Sequence, residues 1–264
     1  MTIENSAILE LTAEGTALVT LNRPAKKNAF DEVMIDELSS IFETLRVSDN
    51  VRLVVIRGAG DVFCAGGDLE WMKRQARHDF EDNEADSYEL AVMLNRLYHL
   101  PQITLALVEG AAFGGGTGII AACDYAIATK ETKFCFSEVR VGLTPANISP
   151  YIIEAVGVRN ARALFTTARQ FNGEYAKEIG LIHEVVEDKN QMATSEEAIA
   201  RLAFAAAPGA VADTKLLINS VKGRPIDHQL MRETAKKMAI RRSSDEGREG
   251  LTAFLEKRPP FWSK

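Results

Sequence analysis

The sequence predicts an α/β fold with a mainly parallel sheet, followed by a helical C-terminal part. Three observations predict it. Short apolar runs such as Leu53-Val54-Val55-Ile56 alternate with stretches whose apolar residues recur at helical spacing. Two of those runs lead into glycine-dense turns that open helices. Beyond about Ala146 only one stretch still reads as a strand.

Taken in order, residues 8–11 and 17–21 flank Gly15 and read as a β-hairpin, with Pro24 punctuating its second strand. Asp31 is placed to cap a helix reaching about Arg46, with Val33, Ile35, Leu38, Ile41, Phe42 and Leu45 near helical spacing. The run 53–56 is a buried strand closed by Gly58, and the turn Ala65-Gly66-Gly67-Asp68 precedes another helix. Residues 82–100 form an amphipathic helix ended before Pro101, and 103–108 a second buried strand. Residues 110–118 read as one glycine-dense turn leading into a helix through Ala122, and 125–128 as a further strand. Helices are expected near 149–156, 159–167, 173–179, 195–207, 210–221, 227–240 and 245–256, with a strand at 181–186. The predicted division is a catalytic core over 1–195 and a helical segment over 196–264.

Composition narrows the function. A length of 264 residues is enough to bury a substantial core. The net charge of -6 argues against a general nucleic-acid surface while allowing a local basic pocket. Cys64, Cys123 and Cys135 lack paired spacing and read as reduced thiols. No zinc pattern is present, and His78, His99, His183 and His228 are scattered, so no metal is expected. Residues 1–10 lack a cationic start before an apolar run and do not read as a signal peptide. No charge-free apolar stretch approaches the roughly 20 residues needed to span a bilayer. The expected setting is the cytoplasm.

The two glycine turns share a logic. Each follows a buried strand and starts a helix, whose first N–H groups lack intrahelical partners. The helix dipole adds positive potential there, and glycine lets a ligand approach the bare backbone. Two such turns meeting in space would aim two N–H groups at one oxygen, an oxyanion hole supplying roughly 3 kcal/mol per donor in a dry site. The alternative is that the glycines merely allow tight turns. The run Gly114-Gly115-Gly116-Thr117-Gly118 lacks the Lys-Ser/Thr end of a nucleotide P-loop. Asp68 reads as a helix cap before a catalytic acid. Cys64 has no evident base partner and reads as a small hydrophobe.

Together these segments resemble the enoyl-CoA hydratase/isomerase (crotonase) family over nearly the whole chain. The resemblance is carried by Leu21-Asn22-Arg23-Pro24 with Asn28-Ala29-Phe30, then Phe63-Cys64-Ala65-Gly66-Gly67-Asp68-Leu69. It continues through Glu109-Gly110-Ala111-Ala112-Phe113-Gly114-Gly115-Gly116 with Ala122-Cys123-Asp124, Phe136-Ser137-Glu138 with Gly142-Leu143, and Ala253-Phe254-Leu255-Glu256-Lys257-Arg258. It implies a spiral of ββα turns with a helical C-terminal segment that builds homotrimers or homohexamers. It also implies an acyl-CoA thioester substrate, with no cofactor beyond the CoA of that substrate. By motif position the oxyanion N–H groups fall on Gly67 and Gly115, and Glu138 is the acid/base. Ala65, Gly66, Asp68 and Leu69 would line the CoA site, and Ala29, Gly114, Gly118 and Gly142 complete the implied substrate-binding positions. Lys26, Lys27 and, from a neighbouring subunit, Lys257 are candidates for the CoA phosphates, or else ordinary solvated charges.

One departure stands out. Hydratases of this family hold water between two glutamates, one in the helix opened by the glycine run and one twenty residues later. Here those positions are Gly118 and Glu138, so only the second carboxylate is present. Tyr151 and Asn147 are candidates to position water in place of the first. Trp71 and Met72 either line the acyl pocket or belong to the core. A narrower resemblance, through Asp68-Leu69-Glu70-Trp71-Met72 and Pro145-Ala146-Asn147-Ile148-Ser149-Pro150, points to bacterial methylglutaconyl-CoA or carboxygeranoyl-CoA hydratases. Their substrates bear a distal carboxylate, for which Arg140 is a candidate partner unless it pairs with a nearby acid. The leading expectation is hydration of a 2-enoyl-CoA. Its rivals are 3-enoyl to 2-enoyl isomerisation, decarboxylation of an acyl-CoA, and a non-catalytic relative that binds CoA thioesters or RNA.

Overall fold

The computed structural model describes residues 5–263. Of the stretch read as lacking a signal peptide, residues 1–4 lie outside the described residues. The chain opens with β1 (Ala7–Leu11) paired antiparallel to β2 (Thr16–Leu21), Ala7 opposite Leu21 and Leu11 opposite Ala17. Alternation in β2 sends Ala17, Val19 and Leu21 fully into the core. Helix α1 (Glu32–Arg46) begins where Asp31 Oδ1 accepts the Met34 amide at 3.0 Å, and it buries Met34, Ile35, Leu38, Phe42 and Leu45 along one stripe.

Three successive turns then repeat one path. In each, the chain runs through a strand of the main sheet, makes a short extended segment outside it, and enters a helical turn. The first is β3 (Leu53–Gly58), the extended segment at Cys64, and α2 (Leu69–Gln75), followed by the long α3 (Phe80–Tyr98). The second is β4 (Ile103–Val108), β5 (Ala111–Phe113) and α4 (Gly115–Ala122). The third is β6 (Tyr125–Thr129), β7 (Lys133–Cys135), a 3-10 turn at Glu138–Val141 and α5 (Ser149–Thr167). Helix α6 (Gly173–Glu178) and β8 (Glu184–Val186) follow. The main sheet runs β1-β2-β3-β4-β6-β8 and is parallel apart from the first pair. The extended segments form their own parallel ladder: Cys64 bridges Ala112, and Ala112 sits opposite Phe134. Asp124 ties β4 to β6, its Oδ2 accepting from the Thr104 amide and hydroxyl at 2.8 and 3.0 Å.

The α/β reading holds, with corrections at element edges. The stretch 110–118 is not one turn, because β5 forms inside it. Strand β7 is a further element that the sequence reading omitted. Helix α3 starts earlier than expected because Asp79, not Asp82, caps it, accepting the Asp82 amide at 2.9 Å. The two helical stretches expected around 149–167 are separated at Gly157, whose φ of 73° breaks the helical path. The last strand is limited to Glu184–Val186.

The chain divides into two compact units, one reaching Glu197 and the other starting at Ala198. That division falls within helix α7 (Lys189–Ala205) and not at a linker. The second unit continues as α8 (Pro208–Val221), α9 (His228–Ser243) and α10 (Asp245–Glu256). Within it, Arg241 pairs with Asp213 and Glu246, each at 3.0 Å, and Ser244 caps α10. Leu251, Phe254 and Leu255 remain exposed on α10. Among the described residues no helix is long and apolar enough to cross a membrane.

Candidate active site

The ladder of extended segments positions the site. Cys64 donates its amide to Ala111 O and accepts from Phe113 N, both at 3.0 Å, so the first and second turns lie side by side. Gly114 N donates to Cys135 O at 3.0 Å and brings in the third. Each turn then offers one group just beyond its ladder residue. Gly67 follows Cys64 by three positions, Gly115 follows Ala112 by three, and Glu138 follows Phe134 by four. These three residues therefore come together because the chain repeats one path three times.

The geometry is close. The point where a Cβ on Gly114 would sit is 3.9 Å from Gly66 Cα and 3.3 Å from Glu138 Oε1. Gly114 (φ 49°, ψ -122°) and Gly66 (φ 97°) both take backbone conformations that side chains disfavour. Phe30 braces both turns from behind. It donates to Gly66 O at 2.8 Å and accepts from Asp68 N at 2.7 Å, while its ring sits 2.7 Å from where a Gly115 Cβ would be. The amides of Gly67 and Gly115 themselves donate to nothing among the described residues. Gly67 is exposed and Gly115 half-buried, so both remain reachable by a ligand. Two unpaired N–H donors on adjacent turns can hold an oxygen that gains negative charge.

The Glu138 carboxylate is the ionisable group that faces the Gly114 turn. Burial pushes its pKa above the ordinary glutamate value, with its own backbone N–H pulling weakly the other way. Its Oε2 is buried without a hydrogen-bond partner. Glu138 is thus neither a surface carboxylate nor ion-paired with Arg140, which donates instead to Ala168 O at 2.6 Å. An unpaired, desolvated carboxylate is a stronger base than a solvated one.

Asp68 caps α2, accepting from the Glu70 and Trp71 amides at 2.8 and 3.2 Å, and pairs with Arg23 at 3.1 Å. Burial opposes its charge, but those amides, Arg23 and Lys26 outweigh it and hold its pKa below the usual range. The Ala65 amide donates to the Lys27 carbonyl at 3.0 Å, while Ala29 is buried and its carbonyl accepts from the Arg23 guanidinium. Lys26 and Lys27 are exposed beside this segment, and Leu69 is exposed at the head of α2. Gly142 ends the 3-10 turn with φ 78° in open space. Lys257 caps α10 with φ 55°, within the second unit.

Gly118 is buried, and a side chain there would overlap Ile148 Cγ2 and lie 3.1 Å from its Cβ. The place of a second carboxylate is therefore filled by Ile148, itself fully buried. Of the other two candidates, Tyr151 bonds the Asn95 side chain, and Asn147 donates to Ser87 O at 3.1 Å. Met72 lies beside Gly67, its Sδ 3.4 Å from where a Cβ would sit. Trp71 is buried and lines a cavity of about 120 Å³ with Ile35 and Asp86. Sequence reasoning passed over Phe30, Thr117 and Ile148 as individual residues. The signal was present for Ile148: a glycine inside an apolar helix marks a close approach by something.

A carboxylate beside two unpaired amides can support enolate-type chemistry at a carbonyl. A family model described as enoyl-CoA hydratase/isomerase matches residues 12–264. The crystal structure of an enoyl-CoA hydratase from Shewanella pealeana ATCC 700345 superposes with a TM-score of 0.94 at 39% identity, covering 97% of this chain and 96% of that one. A short-chain-enoyl-CoA hydratase of Clostridium acetobutylicum is 32% identical over 260 residues, 96% of each chain. A 1,2-epoxyphenylacetyl-CoA isomerase of Escherichia coli is 31% identical over 260 residues, 96% of this chain and 97% of its own. The chain belongs to the enoyl-CoA hydratase/isomerase (crotonase) family.

Proposed function

We propose that this enzyme of the hydratase/isomerase type adds water across the 2,3 double bond of an enoyl-CoA thioester, with Glu138 moving the proton and the Gly67 and Gly115 amides holding the enolate oxygen. The observation that carries the reading is the convergence of Gly66, Gly114 and the Glu138 carboxylate on one point, beside two amides that donate to nothing else. Glu138 takes a proton from water, and the hydroxide oxygen bonds to C3. The π electrons move through C2 onto the thioester oxygen, where the two amides stabilise them. The carbonyl then re-forms as protonated Glu138 returns its proton to C2. The sum is one water added, and Glu138 ends as it began.

A second reading is favoured by Ile148 over Gly118, which leaves a single carboxylate. One base suffices to take a proton from C2 of a 3-enoyl-CoA and return it at C4, moving the double bond to 2,3. The finer substrate proposal is a branched acyl group with a distal carboxylate, such as 3-methylglutaconyl-CoA. It rests on the narrower resemblance and on Arg140, two residues past Glu138, exposed and paired with no acid among the described residues. CoA would be held along Ala65, Gly66, Gly67, Asp68 and Leu69, with Lys26 and Lys27 at its phosphates and Lys257 supplied by a neighbouring subunit of a trimer or hexamer. No cofactor beyond the CoA of the substrate enters the scheme, and a reducing cytoplasm suits its thiols.

The test is turnover of crotonyl-CoA and 3-methylglutaconyl-CoA in oxygen-18 water, read by mass spectrometry. Label at C3 of the product supports hydration, and the faster substrate decides the acyl class. Absence of label, with rapid migration of the double bond in a 3-enoyl-CoA, replaces hydration by the one-base isomerisation.

A further inference from the structure

The Gly115 amide belongs to the peptide unit whose other end is the Gly114 carbonyl. That carbonyl accepts two hydrogen bonds from one residue: the Thr117 amide at 2.9 Å and the Thr117 hydroxyl at 2.5 Å. Thr117 is fully buried and stands two residues beyond the donor, so the pair is shielded from water. The other unpaired amide, on Gly67, is held differently. Its peptide carbonyl, Gly66 O, accepts from the Phe30 backbone N–H at 2.8 Å, and among the described residues its side-chain donor is the weak Cys64 thiol at 3.9 Å. The two donors are therefore anchored unequally, and only the Gly114–Gly115 peptide depends on a hydroxyl.

We infer that Thr117 is a positioning residue for the reaction: its buried hydroxyl fixes the plane of the Gly114–Gly115 peptide and strengthens the Gly115 N–H as a donor to the substrate oxygen. The physical reason is polarisation along the amide. A hydrogen bond accepted by the carbonyl draws electron density toward oxygen and leaves the N–H more positive, a cooperative gain of about 10–30% per bond. Orientation adds to it. With Gly114 in a backbone conformation open to glycine, nothing in its own side chain restrains the peptide from rocking, and the Thr117 hydroxyl supplies that restraint. The effect belongs to the charged transition state more than to the bound ground state, because the donor matters most when the oxygen carries full charge. This inference rests on the oxyanion role proposed for Gly67 and Gly115.

The test uses the full-length protein and the variants Thr117→Val, which keeps the shape and removes the hydroxyl, and Thr117→Ser, which restores the hydroxyl without the methyl. Two readouts are combined. One is kcat and KM with crotonyl-CoA, or with a 3-enoyl-CoA if that is the substrate turned over. The other is the infrared carbonyl stretch of butyryl-CoA carrying carbon-13 at C1, which has no double bond to react and reports hydrogen bonding to the thioester oxygen. The expected result for Thr117→Val is a kcat about three- to tenfold lower with KM changed less than about twofold. The carbonyl stretch should also move part of the way back toward its value in water-free solvent. Thr117→Ser should recover both. A purely structural role would instead lower the melting temperature and leave the carbonyl stretch of the folded fraction in place. If Thr117→Val does not fold, Thr117→Cys carries the test, its weaker S–H donor giving an intermediate carbonyl shift. A wild-type carbonyl shift that survives Thr117→Val, or that Thr117→Cys leaves unchanged, overturns the inference alone. A wild-type protein that binds butyryl-CoA with no carbonyl shift overturns the oxyanion reading and this inference with it.

Discussion

Replacing Gly118 by alanine and Ile148 by alanine, singly and together, should reveal the two residues as one packed pair. A Cβ on Gly118 would overlap Ile148 Cγ2, with Leu94 Cδ1 another 3.4 Å away, so the new methyl has no free space to enter. Ile148 and Leu94 are both fully buried, and α4 packs between α3 and α5 where neither can swing out to solvent. Gly118→Ala alone should therefore cost about 1–3 kcal/mol by overpacking, partly offset by alanine's better helix propensity. Ile148→Ala alone should cost about 2–4 kcal/mol through lost burial and the cavity left behind. In the double variant the alanine methyl occupies part of the space Ile148 vacated. The two costs should then fall short of their sum by about 1–2 kcal/mol. The assay is urea denaturation followed by circular dichroism at one protein concentration, since any assembly makes stability concentration-dependent. Costs that add within about 0.5 kcal/mol would refute the claim that Ile148 fills the Gly118 position. The same pair bears on chemistry. Gly118→Glu in the Ile148→Ala background has room for a second carboxylate, and oxygen-18 incorporation should rise relative to the single Ile148→Ala variant.

Other consequences are open to direct measurement. Glu138→Ala should lower turnover by several orders of magnitude, and a loss below about tenfold would remove this carboxylate from the mechanism. The raised pKa of Glu138 also has a thermodynamic sign: the folded protein holds this proton more tightly than the unfolded chain, so stability from this group is present below pH 4.5 and drains away as pH rises through the elevated value. Glu138→Gln should accordingly be more stable than wild type at pH 7, with the gap closing toward pH 4 in thermal melts; a gap that widens on acidification contradicts the burial argument. The activity of the wild-type enzyme should rise with pH through a value above that of ordinary glutamates, and kcat measured across pH 4–8 checks it. Cys64 is buried and its thiol is pushed up to about 12, so iodoacetamide should leave it unmodified in the folded protein and label it only on unfolding, as peptide mass spectrometry would show. Asp68→Ala should destabilise the fold by about 1–2 kcal/mol, because it removes the α2 cap and one of the two carboxylates paired with Arg23, Asp31 at 2.8 Å remaining, with thermal melts as the measure.

Much of this was legible in the sequence, and the gaps have physical causes. Strands β2, β3 and β4 were readable because burial on one or both faces writes itself into consecutive or alternating apolar residues. Helix α1 was readable because Asp31 and an apolar stripe agree. Strands β5 and β7 were not, since three residues carry no period and become strands only by pairing with each other. The start of α3 was misplaced because residues 79–86 offer several acids, and only the turn itself decides which one accepts the amide. Gly67, Gly115 and Glu138 could be gathered into one candidate site only by the order of whole motifs. Their meeting depends on a path repeated three times, which no local window contains. The roles of Thr117 and Phe30 were hidden for a simpler reason. Each acts on a backbone atom, Thr117 on Gly114 O at the head of its own helix and Phe30 on Gly66 O of a different segment, and backbone atoms leave no mark on residue type.

The proposed chemistry draws base strength and oxyanion stabilisation from a single source, the exclusion of water. A carboxylate taken out of water becomes harder to ionise and so a better base, which is the direction in which Glu138 is shifted. An N–H facing a low-dielectric pocket interacts more strongly with a charged oxygen than it would in water. A second carboxylate beside them would help hold a water molecule, but it would also raise the local demand for hydration and repel the enolate. Filling the Gly118 position with Ile148 keeps that wall apolar. The cost is that position 118 offers no side chain to hold a water molecule, so the proposed hydration assigns its water to Glu138. An enzyme built this way should hydrate slowly relative to its rate of proton exchange at C2. Deuterium uptake at C2 of butyryl-CoA in heavy water, compared with the hydration rate of crotonyl-CoA, measures that ratio directly. Exchange slower than hydration would mean that water is held by a group other than Glu138, and the single-carboxylate argument would fail.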